Sequence, residues 1–314
     1  MKTVFLNELT APLKTPAVAT IGFFDGVHTG HRHLISQVQA IAHAAGCQSM
    51  VITFDRHPRE VLTARQTPFL LTSLEEKLRL LASTDVDMVV ILPFSRELAA
   101  LSAHDFMQQM LADRLGVRKL VIGYDNRFGH NRTEGFEDYV IYGREMDMEV
   151  IRAEEMRVSG TPVSSSVIRS LLADGAVDKA ARLLGRPYEL SGQVVHGFEE
   201  GRKIGFPTAN LQLQEPLLLV PKSGVYAVEV REGLLGMLNI GTRPTFEGHE
   251  QTIEVHVFNF SGDLYGSMLR VRFLRRIRDE RPFSSPEALR QQLEHDREQI
   301  INSLHPSSSL PSGR

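Results

Sequence analysis

Cysteine occurs once, at Cys47, in a chain of 314 residues. A single thiol excludes an internal disulfide framework and makes a reducing cytoplasm the expected location. No apolar stretch approaches the roughly 20 residues of a membrane span, so no membrane partner is expected. The first ten residues, MKTVFLNELT, break their short apolar run at Asn7 and Glu8, so no secretory leader is expected. An excess of one charge is also lacking. The 35 Lys and Arg against 38 Asp and Glu leave a formal net charge of −3, which does not favour a general nucleic-acid-binding surface. The pattern G-x-x-x-x-G-K-[ST] is absent, which removes a P-loop. There is no internal repeat and no convincing nucleophilic triad. What remains is ordinary globular material, 42% hydrophobic and 23% charged, long enough for about two domains.

The first half alternates apolar runs with helical patterns. AVATIG (17–22), SMVITF (49–54), VDMVVILPF (86–94), KLVIGYD (119–125) and MEVIRAEEM (148–156) read as strands. Residues 33–45, 72–81 and 102–116, then SSSVIRSLLADG and DKAARLLG, read as helices. Ser73 and Glu76 match a capping box, and Gly46 and Gly116 are expected helix stops. Such alternation predicts an α/β domain with a parallel sheet and crossover helices, whose ligands sit beyond the carboxyl ends of the strands. From about residue 187 the pattern changes to six short strands with turn residues, ending at RFLRRIR, which predicts a small antiparallel barrel or sandwich. Helical periodicity returns at 285–304. The Ser/Pro-rich end, 305–314, is expected to be disordered. The domains expected are 1–183 and 184–304.

The stretch IGFFDGVHTGHRHLI (21–35) follows the first strand and opens a helix. Glycine at such a turn lets backbone approach a ligand, and the helix start offers unpaired N–H groups and a positive dipole end. His28 and His31 can donate hydrogen bonds to phosphate oxygens there. Read alone, the pair could equally be satisfied locally in a turn. A zinc site is a further reading, but it lacks cysteines and an obvious third ligand.

Four stretches in order resemble the H-x-G-H nucleotidylyltransferases, in particular the adenylyltransferase half of bacterial bifunctional riboflavin kinase/FAD synthetases. They are GFFDGVHTGHRHLI, TFDRHPREVL (53–62), VIGYDNRFGHNR (121–132) and VSSSVIRSLL (163–172). The resemblance implies a Rossmann-like fold. It implies that Gly22, Gly30, His28 and His31 hold ATP phosphates, with the histidines stabilising the transition state. Ser164, Ser165 and Arg169 would hold phosphates from the other side, Arg169 as a catalytic residue. His57, Pro58 and Asp125 would border the flavin. Ser166 stands where the family usually has Thr, and Asn126 where Phe is common. Without the resemblance, SSS reads as an N-cap cluster, Arg169 as a surface helix residue and Asp125 as a turn residue.

In the second half, HGFEEGRKIGFPTANL (196–211) places Gly201 and Arg202 in a candidate phosphate flap. Thr208 and Asn210 are candidate oxygen ligands for a hard cation such as Mg²⁺. An isolated PTAN also reads as a polar β-turn. SGVYAVEV, NIGTRPTF, TIEVHVFNF, DLYG and IRDERPFSSPEAL follow in the order of the riboflavin kinase module, which this half resembles over nearly its whole length. The resemblance assigns Thr208 and Asn210 to Mg-ATP, Glu254 to the general base, and Arg278 and Phe283 to the flavin. Alternation sets Ile253, Val255 and Val257 on one strand face and Glu254, His256 and Phe258 on the other, which also suits an outward-facing Glu254. Phe198, Glu199 and Glu200 make the flap more acidic than is common, and Pro282 replaces the commoner Lys.

Together the resemblances imply one chain with two enzymes. One would phosphorylate riboflavin to FMN with ATP, and the other would adenylylate FMN to FAD with release of pyrophosphate, both with a divalent cation. An aminoacyl-tRNA synthetase relative would carry a K-M-S-K-S loop and an RNA-binding domain, and neither is found. A non-catalytic flavin or nucleotide sensor on the same fold is the third reading. The expected partners are small molecules. Oligomeric state is not legible.

Overall fold

The computed structural model describes residues 1–62, 69–124, 127–130, 133–158, 160–196, 201, 204–231, 233–245 and 248–304. Asp125, Asn126, Phe198, Glu199, Glu200, Arg202 and the tail 305–314 lie outside these residues. The chain divides into two compact units, Met1–Ser165 and Ser166–Arg314.

The first unit is a six-stranded parallel sheet. Its strands are β1 (Lys2–Phe5), β2 (Ala17–Ile21), β3 (Gln48–Phe54), β4 (Met88–Leu92), β5 (Val117–Ile122) and β6 (Glu149–Arg152). Their order across the sheet is β1-β4-β3-β2-β5-β6. All five residues of β2 and of β4 are buried, which suits strands covered on both faces. Successive side chains enter different cores. Met88, Val90 and Leu92 join one cluster with Ala17, Ala19, Ile21, Phe106 and Tyr139. Val89 and Ile91 join another with Val51, Ile35, Leu80 and Leu81. The sheet therefore lies between helical layers.

One layer includes α1 (Thr29–Ala45) and α3 (Leu74–Ala82). The other includes α5 (Ala103–Asp105), which continues as π-helical turns over Phe106–Arg114, and α6 (Phe136–Glu145). Short helices α2 (Pro58–Leu62) and α4 (Arg96–Ala100) follow β3 and β4. Gly46 ends α1 in the left-handed region at φ 62°, as its place after the apolar pattern predicts. The Ser73 hydroxyl accepts the Glu76 N–H at 3.1 Å and caps α3. Strand order reverses about β2, so the mouth beyond β2 and β5 is where a ligand site is expected. A short antiparallel pair, β7 (Arg157–Val158) and β8 (Thr161–Pro162), follows.

Helix α7 (Ser165–Ala173) starts at the last residue of the first unit, and the rest of it, with α8 (Val177–Leu184), opens the second. Six strands then close an antiparallel barrel: β9 (Tyr188–Val195), β10 (Ala209–Leu213), β11 (Gly224–Arg231), β12 (Leu234–Thr245), β13 (Gly248–Val257) and β14 (Met268–Arg278). They run in the order β10-β13-β12-β11-β14-β9. Closure removes the exposed edges that short strands would otherwise present. The last helix, α9 (Pro286–Leu304), packs Ile300 over Val225, Ala227 and Met237 on the barrel wall. Helix α8 packs on β9 and β14, so this unit takes in two helices that the sequence pattern groups with the first half. No helix among the described residues is long and apolar enough to cross a membrane.

Candidate functional sites

The turn after β2 is built around Asp25. Its carboxylate Oδ1 accepts the N–H groups of Leu71 and Thr72 at 2.9 and 3.2 Å. The Thr72 hydroxyl accepts the Gly26 N–H at 3.1 Å. Ser165 closes the other side, its hydroxyl donating to the Asp25 carbonyl at 3.0 Å. Phe24 and Val27 hold positive φ values of 55° and 38° within this turn. Such conformations are costly for bulky residues and persist where surrounding bonds fix them.

His28 is the N-cap of α1, with its Nδ1 accepting the His31 N–H at 3.2 Å. An accepting Nδ1 fixes the neutral ring as the Nε2–H tautomer. The two imidazoles stack at 3.5 Å between centroids, 15° apart. A side chain at Gly30 would press on the His28 ring at 3.2 Å and the Val163 carbonyl at 3.4 Å. The His31 Nδ1 is buried without a hydrogen-bond partner. Burial, then the neighbouring His28 and Lys77, push the His31 pKa well below that of an ordinary histidine. It is therefore a neutral polar group beside a helix N-terminus.

Next to this turn lies a cavity of about 490 Å³, lined by Phe23, Phe54, Phe94, Phe106 and Phe128 among others. Gly22 and Pro58 also line it. His57 stands edge-on to Phe23 at 4.9 Å, and its Nδ1 accepts the Arg59 N–H at 3.1 Å. The Tyr139 hydroxyl lies 3.0 Å from both the Phe128 carbonyl and the Phe128 N–H, and the rings stack at 4.3 Å. Helix α6 thus fixes one wall. The size, the aromatic lining and the open carboxyl end of the sheet suit a planar heteroaromatic ligand.

Ser164 and Ser165 are half-buried, and Arg169 lies in α7. Asp125 is outside the described residues. Phe23, Phe54, Phe94 and Phe106 were not singled out by the sequence reading. For Phe23, Phe54 and Phe94 the signal was an aromatic at or just beyond successive strand ends, whereas Phe106 lies in the π-helical turns after α5.

In the barrel, antiparallel pairing sets Glu254 of β13 opposite Asn210 of β10 and Asn239 of β12. The Thr208 hydroxyl lies 3.4 Å from Glu254 Oε2. A hydroxyl and a carboxylate therefore meet at one point of the barrel, with Asn210 paired opposite Glu254; hydroxyl, amide and carboxylate are residue types that fit a hard cation shared with phosphate oxygens. The His256 ring lies on the same face, its Nδ1 2.8 Å from the Pro207 carbonyl. Burial lowers its pKa, so it supports the PTAN turn as a neutral ring. A side chain at Gly201 would run into the Phe206 carbonyl. A cleft of about 590 Å³ borders the turn, lined by Pro207, Thr208, Val255, Phe260, Asp263 and Tyr265 among others. Arg278 pairs with Asp296 of α9 at 2.8 Å and lies over the Phe283 ring at 5.6 Å. The Arg202 side of the flap is outside the described residues.

Known proteins match both halves. Residues 10–167 match the family model described as FAD synthetase, and residues 184–304 the one described as riboflavin kinase. A bifunctional riboflavin kinase/FMN adenylyltransferase of Escherichia coli K12 is 40% identical over 295 residues, covering 93% of this chain and 94% of that protein. A protein of the same description from Pseudomonas fluorescens is 39% identical over 89% of this chain and 90% of its own length. A crystal structure from Streptococcus pneumoniae, described as a macrolide-efflux protein, has TM-score 0.87 at 32% identity. It covers 96% of this chain and 99% of that one. That description belongs to the streptococcal protein, and the match carries a shared fold.

Proposed function

This chain belongs to the bifunctional riboflavin kinase/FMN adenylyltransferases, and from that premise we propose how its residues divide the two reactions. The carboxyl-terminal module phosphorylates riboflavin to FMN with ATP. The amino-terminal module transfers AMP from ATP to FMN, giving FAD and pyrophosphate. We take the functional junction at 183/184, between the two matched segments, and the cytoplasm as the site of action, in keeping with the single cysteine.

In the kinase, Glu254 accepts the proton of the ribityl 5′-hydroxyl as its oxygen attacks the γ-phosphorus and ADP leaves. The approach of Thr208 to Glu254, with Asn210 paired opposite, supports this reading. Thr208 and Asn210 would hold the divalent cation, which neutralises phosphate charge when bound. The cleft beside Thr208 takes the nucleotide, with Gly201 and Arg202 covering its phosphates. Arg278 and Phe283 border the flavin.

In the adenylyltransferase, an FMN phosphate oxygen attacks the α-phosphorus of ATP, and the bond to pyrophosphate breaks. No protein nucleophile is needed, so positioning and hydrogen bonds to developing charge carry the rate. His28, through Nε2–H, and His31 donate to phosphate oxygens at the start of α1, with Gly22 and Gly30 giving close approach. The stacked imidazole pair on that helix start is the observation that carries the reading. Ser164, Ser165 and Arg169 hold phosphates, and Asp125, His57 and Pro58 border the flavin, whose ring enters the Phe-lined cavity. Purified protein with riboflavin, ATP and Mg²⁺ should yield FMN and then FAD on chromatography. Absence of both products contradicts the proposal.

A further inference from the structure

Lys77 is a buried charged group beside the Phe-lined cavity that neither proposed reaction uses. Helix α3 sets it on the same face as Leu80 and Leu81, and it is 2% exposed. Lysine is almost never buried so fully without a strong reason. Its ammonium donates to the Phe23 carbonyl at 3.2 Å and to the Phe54 carbonyl at 2.9 Å. It also lies 4.2 Å from the centre of the Phe23 ring, within cation–π range. Phe23 follows β2 and Phe54 ends β3, so one nitrogen ties together two neighbouring strand ends whose rings both line the cavity. The lacing continues on either side. The Thr53 hydroxyl donates to the same Phe23 carbonyl at 3.1 Å. The Asp55 carboxylate accepts the N–H of Phe94, another wall residue, at 2.8 Å.

We propose that Lys77 is a positioning residue for adenylyl transfer, holding the Phe23 and Phe54 rings at the separation that admits the isoalloxazine of FMN. This rests on the reading that the cavity receives the flavin. Charge-assisted bonds to carbonyls are roughly twice as strong as neutral ones, so the charged amine makes the stiffer tie. Three titratable neighbours act on it. Asp25 and Asp55 favour its charge, while burial opposes it more strongly and lowers its pKa to about 8. The third, His31, has its own pKa lowered by Lys77. Because the folded pKa lies below the unfolded one, the folded protein binds fewer protons between pH 8 and the ordinary lysine range. Rising pH therefore weakens the tie without withdrawing stability through this group.

The test measures FAD formation from FMN and ATP in the full chain, with riboflavin phosphorylation in the same preparation as a control. Lys77→Met should raise the KM for FMN about tenfold, the scale of a lost charged hydrogen bond. The KM for ATP and the kinase activity should change less than about twofold. Lys77→Arg, which keeps a cation and donors, should recover part of the loss. Leu81→Ala, on the same buried face of the helix but in the hydrophobic core, should lower the melting temperature without this selective KM change. Phe128→Ala tests the cavity itself and should raise the KM for FMN.

If Phe128→Ala acts and Lys77→Met does not, the proposal for Lys77 is overturned and the cavity reading stands. If Phe128→Ala has no effect, the cavity reading falls and the proposal with it. Parallel losses in kcat and both KM values, matched by Leu81→Ala, also overturn it. Should Lys77→Met not fold, the wild-type pH profile decides. The KM for FMN should climb severalfold from pH 7 to 9 while that for riboflavin stays level, and a flat FMN profile refutes the tie.

Discussion

His31 owes its chemistry to where it is buried. A histidine held neutral in the folded state takes up protons more readily once unfolded. The unfolded chain therefore binds more protons below about pH 6.5, and stability through this group falls as pH drops below that value. The melting temperature of the amino-terminal unit should decline on acidification through this range, and His31→Gln should flatten that decline. His31→Ala should also cost about 100-fold in FAD formation, the scale of one lost transition-state donor, with FMN formation intact. The two histidines were legible in the sequence because strand, glycine and helix start surround them. Lys77 was not. It reads as part of a solvated LEEKLRLL face until its spacing to Leu80 and Leu81, at i+3 and i+4, is taken as a buried stripe. Asp25 was likewise passed over, since four accepted or supporting bonds around a turn leave no sequence pattern.

Among elements, the six barrel strands were plain in the sequence. Each alternates apolar and polar residues and is bounded by turn residues, and β9 to β14 fall on the stretches so marked. Other elements carried weaker signals. Strand β1 has only four residues, KTVF, and gains its place by parallel pairing with β4, a contact that no local pattern reveals. Helix α6, FEDYVIYGRE, follows a polar loop, and its burial depends on Tyr139 and Gly143. The expected strand 148–156 is ordered as a strand only over Glu149–Arg152, because Glu154 and Glu155 are exposed and leave no apolar alternation to continue it. Helix α9 is tied to the barrel by Asp296, 1% exposed, paired with Arg278. Removing one partner of such a pair leaves a poorly solvated charge. Asp296→Ala should cost about 3 kcal/mol of stability in the barrel, read as a lower denaturation midpoint. It should also raise the KM for riboflavin, since Arg278 would lose its anchor beside Phe283.

At the scale of the whole molecule, the chain folds as two compact units, and the proposed division gives the two phosphate chemistries different residues. In that proposal the imidazole pair serves a reaction that needs no proton acceptor on the protein, and Glu254 serves one that does. That difference makes the activities separable. The fold class of both halves was legible because strand periodicity changes once, near residue 187. The Phe-lined cavity was not, because its walls come from four strand ends distant in sequence. The most direct test of the central claim feeds riboflavin or FMN, with ATP and Mg²⁺, to His31→Ala and Glu254→Ala and separates the flavins by chromatography. His31→Ala should turn riboflavin into FMN and stop there. Glu254→Ala should fail on riboflavin yet convert supplied FMN into FAD. A folded variant of either kind that loses both steps, or neither, would contradict the division of labour between the two sites.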